Sequence, residues 1–266
     1  MLVYLPPGGT LPRRNAFVDI QGIILSLLAA IAAIVLHEVA HGYAALALGD
    51  DTARRQGRLT LNPIAHVDRV GTLIVPGVLL ILSSLTGSRF MFGWAKPVPV
   101  DPWRFRDPRR GMMLVAMAGP AINFVLAALT ALALHLDDDP IRTIGAMLNL
   151  QGAERGMPML LAVQFAISFI MFNILLGLFN LLPIPPLDGG RIMVGILPYR
   201  LAMAWARLER AGIFIVLALL FLLPMLLRDL GIPFDPVRML LVDAAGWMLS
   251  HLPLPETYSR FLLHDF

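Results

Sequence analysis

Two histidines four residues apart, with a glutamate between them, carry the most chemistry in this chain. They form the segment HEVAH, His37 to His41, with Glu38 inside it. On a helix, positions i and i+4 share a face, so both imidazoles can reach one metal ion. Imidazole nitrogen binds Zn2+ at about 2.0–2.1 Å. Glu38 would stand beside that ion, where a carboxylate can take a proton from water. All three residues interrupt an apolar run, and ionisable groups in such a setting mark function by default. The competing reading is a polar patch packed between helices without metal.

A catalytic zinc site uses three protein ligands and keeps one position open, so a third ligand must lie outside HEVAH. The remaining histidines are His66, His135, His251 and His264. His135 adjoins an acidic loop, and His251 and His264 lie near the C-terminus. His66, in NPIAHVD, has the setting of a capping or hydrogen-bonding residue. Asp188, in PPLDGG at the end of an apolar run, is the better candidate. Two prolines break the helix there, and Gly189 and Gly190 let the backbone turn closely around a site. An aspartate at such a place is also a common helix cap, and taken alone that reading is the stronger.

The elements that must hold these residues are membrane helices. Hydrophobic residues make up 58% of the 266 positions and charged residues only 15%, against about a quarter in soluble domains. The formal net charge is +3, and Lys and Arg gather between apolar runs as topology-setting charges do. That layout does not form a nucleic-acid groove. The absence of Cys excludes disulfides and any zinc site built on thiolate. The first residues, MLVYLPPGGTLPRRN, lack the pattern of a cleaved signal, so the first apolar helix is expected to remain.

Apolar runs fall at 17–48, 70–85, 111–136, 159–182 and 213–227, and the tail from 233 is apolar but broken by charges and prolines. The expected fold class is an all-α polytopic membrane protein with about five to six membrane segments. The basic stretch TARRQGRLTLNP adds a short strand or hairpin. A division follows into an N-terminal tail (1–16), a membrane domain (17–228) and a C-terminal tail (229–266) that is interfacial or weakly spanning.

HEVAH on one run, AGPAIN on a later one and NLLPIPPLDGG on another appear in that order across roughly residues 17–195. Together they resemble the site-2 protease family of intramembrane zinc metalloproteases, in a minimal branch without PDZ or CBS domains. The resemblance implies that His37, His41 and Asp188 bind zinc and that Glu38 activates water. It also implies that Asn180 contacts the substrate backbone or the oxyanion. Asn123, in AGPAIN, is expected to support the site, pack helices or bear on the substrate. The implied partners are transmembrane protein substrates and the bilayer, with no nucleic acid and with the oligomeric state open. A membrane metal transporter using the same residues is the alternative, although no repeated halves are visible.

Two further expectations concern geometry. The strand-like Arg58, Leu59 and Thr60 are expected to pair with an extended substrate by strand addition. For Asp188 to meet the histidines, the runs carrying them must be parallel, with the AGPAIN run antiparallel between them. The run at 70–85 then makes no net crossing, dipping in and returning at Pro76–Gly77. Counting Lys and Arg on that basis places the active site nearer the cytoplasmic side of the cell membrane.

Overall fold

The computed structural model describes residues 20–86, 93–137, 139–147, 157–232 and 236–264. The N-terminal tail expected at 1–16 lies outside the described residues. Four described helical stretches are long and apolar enough to cross a membrane: Ile20–Ala47, Pro108–Leu136, Pro158–Leu181 and Tyr199–Leu227. A shorter apolar helix begins at Arg69. The spanning helices keep large apolar side chains on their outer surfaces, Leu27, Leu129, Phe214 and Met225 among them. That pattern suits a solvent of lipid chains, in which apolar exposure carries no penalty.

The HEVAH helix, Ile20–Ala47, contains no proline, so nothing interrupts its hydrogen bonds over 28 residues. It ends where Gly49 takes a φ of 103°, a conformation that a side chain would strain. The Asp50 amide donates to Ala45 O and the Gly49 amide to Leu46 O, which closes the last turn as a Schellman motif. Asp50 itself is buried. Its carboxylate accepts from the Thr52 amide and hydroxyl and from the Asp101 amide. Burial would raise this carboxyl, but these donors and Arg104 together hold it below its ordinary value.

The AGPAIN helix, Pro108–Ala133, starts at Asp107, which caps the amides of Arg109 and Arg110. It runs antiparallel to the HEVAH helix: Val115 meets His41, Asn123 meets His37, and Leu126 packs against the cluster around Ala29 and Ala33. The Met157–Leu181 helix is parallel to the HEVAH helix. Ser168 meets Ser26, and Asn173, further along its helix, is linked through Asn123 to His37, further along the other. This is the arrangement expected from the ligand positions. Buried alanines, Ala29, Ala33, Ala127 and Ala131, line the contacts, since small side chains let apolar helices approach closely. At the far end, Ala245, Leu249, Tyr258 and Leu262 of the C-terminal helices join the core around Ile167, Ile170 and Ile174.

The expected strand or hairpin near residue 52 is not formed; the described residues contain no strand. Thr52–Arg55 make one helical turn, and the following residues run irregularly. The backbone there has no ladder partner. Arg58 donates to Lys96 O, His66 donates to Thr60 O, and Leu59 packs on Gly42. These side-chain bonds take the place of strand pairing.

The segment after Arg69 also differs from expectation in its turning point. It is helical from Arg69 to Thr86, straight through Pro76 and Gly77. Yet the Trp94 amide donates to Gly71 O at 3.1 Å, so the chain has returned to the start of the excursion by Trp94. Entry and exit therefore lie together. Cysteines placed at Gln56 and Trp103, on either side of this excursion, are expected to react with an impermeant maleimide from the same membrane face. Reaction from opposite faces would show that the segment crosses.

Candidate metal centre

Asp188 is the first residue of a short helix, Asp188–Ile196, and its side chain caps nothing. Two features aim it inward. Gly189 and Gly190 lie so close to the end of the preceding helix that an added Cβ would come within 2.2 Å of Leu182 O and 2.6 Å of Pro185 N. At the other end, Arg109 donates to Val194 O and Leu197 O, supplying positive charge to exposed carbonyls at the helix C-terminus. The short helix is thus fixed at both ends.

Three atoms then converge. His37 Nε2 lies 3.0 Å from His41 Nε2, and Asp188 Oδ2 lies 3.1 Å and 3.2 Å from them. All three residues are buried. Tetrahedral zinc ligands at about 2.05 Å would stand roughly 3.3 Å apart, so the spacing fits.

Hydrogen-bond logic says what these atoms carry. Phe169 O can only accept, so Asn173 Nδ2 donates to it and Asn173 Oδ1 is left to accept from Asn123 Nδ2. Asn123 Oδ1 must then accept from His37 Nδ1, at 2.6 Å. His41 Nδ1 likewise donates to Val115 O. With both Nδ1 atoms protonated in the neutral rings, both Nε2 atoms present lone pairs. They face a carboxylate oxygen that has no hydrogen-bond partner of its own. Three electron-rich atoms in one buried space call for a cation.

The other expected residues are distributed as follows. Glu38 accepts from the Val98 amide through Oε2 at 2.9 Å. Asn180 donates to Leu176 O within its own helix, and no hydrogen bond joins it to the triad. Asn123 is fully buried behind His37. Its Oδ1 accepts from the ring and fixes the orientation of His37. Arg58 is buried and spent on Lys96 O, and the Thr60 carbonyl is taken by His66. His66 is the hydrogen-bonding residue its loop suggested.

Two contributors go beyond the sequence reading. Asn173 completes the relay from Phe169 O to His37; it is a polar side chain in an apolar run, the same signal that marked His37. Gly119, within AGPAIN, lies against both rings, and an added Cβ would come within 2.5 Å of His37 Cε1 and His41 Nε2. Loss of a partner behind a metal-bound histidine typically lowers metal affinity about 10–100-fold. Asn123→Ala is expected to do so here, measured by zinc competition with a chromogenic chelator, and unchanged affinity would remove Asn123 from the site.

Apolar spanning helices around a buried His–His–Asp cluster with an adjacent glutamate define a multi-pass membrane metalloprotease. The pattern of Peptidase family M50 matches residues 25–223, and the chain belongs to that family, a zinc metalloprotease of the site-2 type. A Bacillus subtilis (strain 168) protein named "Putative zinc metalloprotease YwhC" is 40% identical over 200 residues, covering 73% of this chain and 78% of that protein. Rip2 of Mycobacterium tuberculosis (strain ATCC 25618 / H37Rv), named in the same way, is 32% identical over 155 residues, 58% of this chain and 50% of its own length. Rip2 of Mycolicibacterium smegmatis is 28% identical over 186 residues, covering 70% and 62%. No solved structure matches the chain.

Proposed function

We propose that this protein hydrolyses peptide bonds of transmembrane substrate proteins, within or beside the bilayer, as a step of regulated intramembrane proteolysis. The observation that carries the reading is the burial of His37, His41 and Asp188 inside a bundle of spanning helices, with Glu38 on the same helix as the histidines. His37 and His41, through Nε2, and Asp188, through its carboxylate, would hold the zinc. When bound, zinc supplies a Lewis acid for the scissile carbonyl and makes water more acidic.

Glu38 accepts the proton of the attacking water and returns it to the leaving amine. Its Oε2 is held by the Val98 amide, which orients the carboxylate. Pro97 and Pro99 flank Val98, so neither neighbour has an amide to replace that donor. Val98→Pro is expected to lower cleavage about ten-fold or more with zinc content unchanged, whereas Val98→Ala, which keeps the N–H, should stay close to wild type. Equal activity in both variants would show that the amide does not position Glu38.

Asn180 is assigned to the substrate backbone or the oxyanion; its Nδ2 carries a second N–H besides the one given to Leu176 O. Leu59 lies on Gly42, next to His41, so Arg58–Thr60 remain the bank along which an extended substrate would lie, without forming a strand. A spanning substrate hides its carbonyls in its own hydrogen bonds and must unwind before it can be cut. We place the active site nearer the cytoplasmic side, on the distribution of Lys and Arg between the apolar runs. Purified protein in bilayers should cut a model transmembrane substrate, and a zinc chelator should stop it. Chelator-insensitive cleavage, or none with any substrate supplied, would refute the reading.

A further inference from the structure

The metal centre makes no use of the exposed face formed by Tyr199–Arg207 and the turn after it. Arg200, Arg207 and Arg210 are exposed there, and none makes a hydrogen bond or ion pair with a described residue. The acid among them, Glu209, is engaged with Arg191 at 3.2 Å. Arg191 lies on the helix that begins with Asp188. Three cations are therefore left without an internal counter-charge.

The three arginines, with Tyr199, Met203 and Ala206, line an open cleft of about 790 Å3. Met203 and Ala206 give it an apolar floor between arginines at either end. The exposed Phe214 follows Met203, Arg207 and Arg210 in helical register and leads onto the apolar surface of the spanning segment that ends at Leu227. A fitting occupant carries a negative headgroup joined to apolar chains. Free phosphate would satisfy the arginines and leave the apolar surface unused. An acidic soluble peptide would likewise leave Phe214 uncovered.

We infer that this face binds the headgroup of an anionic phospholipid, with the phosphate between Arg207 and Arg210 and the acyl chains along Phe214 and the spanning segment that follows it. Guanidinium groups recognise phosphate through paired N–H donors as well as charge. Each basic residue near an anionic membrane surface strengthens association roughly five-fold, so three together give on the order of a hundred-fold. The site is independent of proteolysis and would exist in an inactive enzyme.

The test uses full-length protein in nanodiscs of phosphatidylcholine containing phosphatidylglycerol, with retained lipid counted by native mass spectrometry. Wild type should retain phosphatidylglycerol at least ten-fold over its share of the bilayer. Arg200→Gln/Arg207→Gln/Arg210→Gln should lose that enrichment. Arg54→Gln/Arg106→Gln/Arg142→Gln, which removes the same charge elsewhere, should keep it. Millimolar inorganic phosphate should not displace the lipid, and displacement would reassign the site to free phosphate. Equal retention by the two triple variants, or no preference over phosphatidylcholine in wild type, overturns the proposal. So does displacement of the lipid by a polyglutamate peptide, which would point to an acidic protein partner.

Discussion

Glu38→Gln is expected to keep one zinc per chain and lose cleavage of a transmembrane substrate by about 10²–10⁴-fold. Glutamine has nearly the same size and can still accept from the Val98 amide through its carbonyl oxygen, so the helix and the loop over it should stay in place. What it cannot do is take up a proton. The zinc ligands, His37, His41 and Asp188, are untouched, and metal content should not change. The two measurements together are informative: zinc analysis reports the site and cleavage reports the base. A variant with full zinc and the wild-type rate would end the assignment of Glu38. It would also favour a protein that carries the metal without using it for hydrolysis. Proteomics of membrane-protein fragments from cells with active and Glu38→Gln protein would then name substrates directly.

The second large effect is loss of the metal. His37→Ala removes one of three ligands and leaves Asn123 without its partner, in a pocket that two buried acceptors still share. Near-stoichiometric zinc in wild type should fall to background in His37→Ala and in the triple His37→Ala/His41→Ala/Asp188→Ala variant. Asp188→Asn is expected to act differently from Glu38→Gln, weakening zinc retention together with activity, because a neutral amide oxygen is a poorer zinc ligand than a carboxylate. Equal zinc in wild type and triple variant would place the metal elsewhere. The buried triad, at 3.0 to 3.2 Å between its atoms, would then need another explanation.

Much of the site is legible in the sequence because it is local. The spacing of His37 and His41 is a helical repeat, and it needs only a helix to bring both rings to one face. Long apolar runs imply spanning helices through the energetics of the bilayer, and the order of HEVAH, AGPAIN and NLLPIPPLDGG then implies parallel outer helices with an antiparallel one between them. Asp188 is less legible. Taken alone, an aspartate ahead of two glycines reads more readily as a cap, and only the fold of the Asp188–Ile196 helix, held by Arg109, aims its carboxylate at the histidines.

The rest depends on partners far apart in the chain, which no local pattern encodes. Asn173, Asn123 and His37 form one relay across three helices, and the direction of every bond in it follows from a single carbonyl at Phe169. Gly119 is a small residue in an apolar helix until the AGPAIN helix is laid against both imidazoles. The basic stretch after Asp51 alternates like a strand, but a strand needs a ladder partner, and Arg58, His66 and Lys96 satisfy one another in irregular loops instead. By itself the sequence determined the helices, their order and the residue types able to hold zinc and move a proton. Tertiary packing decided which nitrogen of each histidine is free, which asparagine stands behind it and which amide holds Glu38. Those choices rest on contacts between helices, and such contacts exist only once the chain has folded.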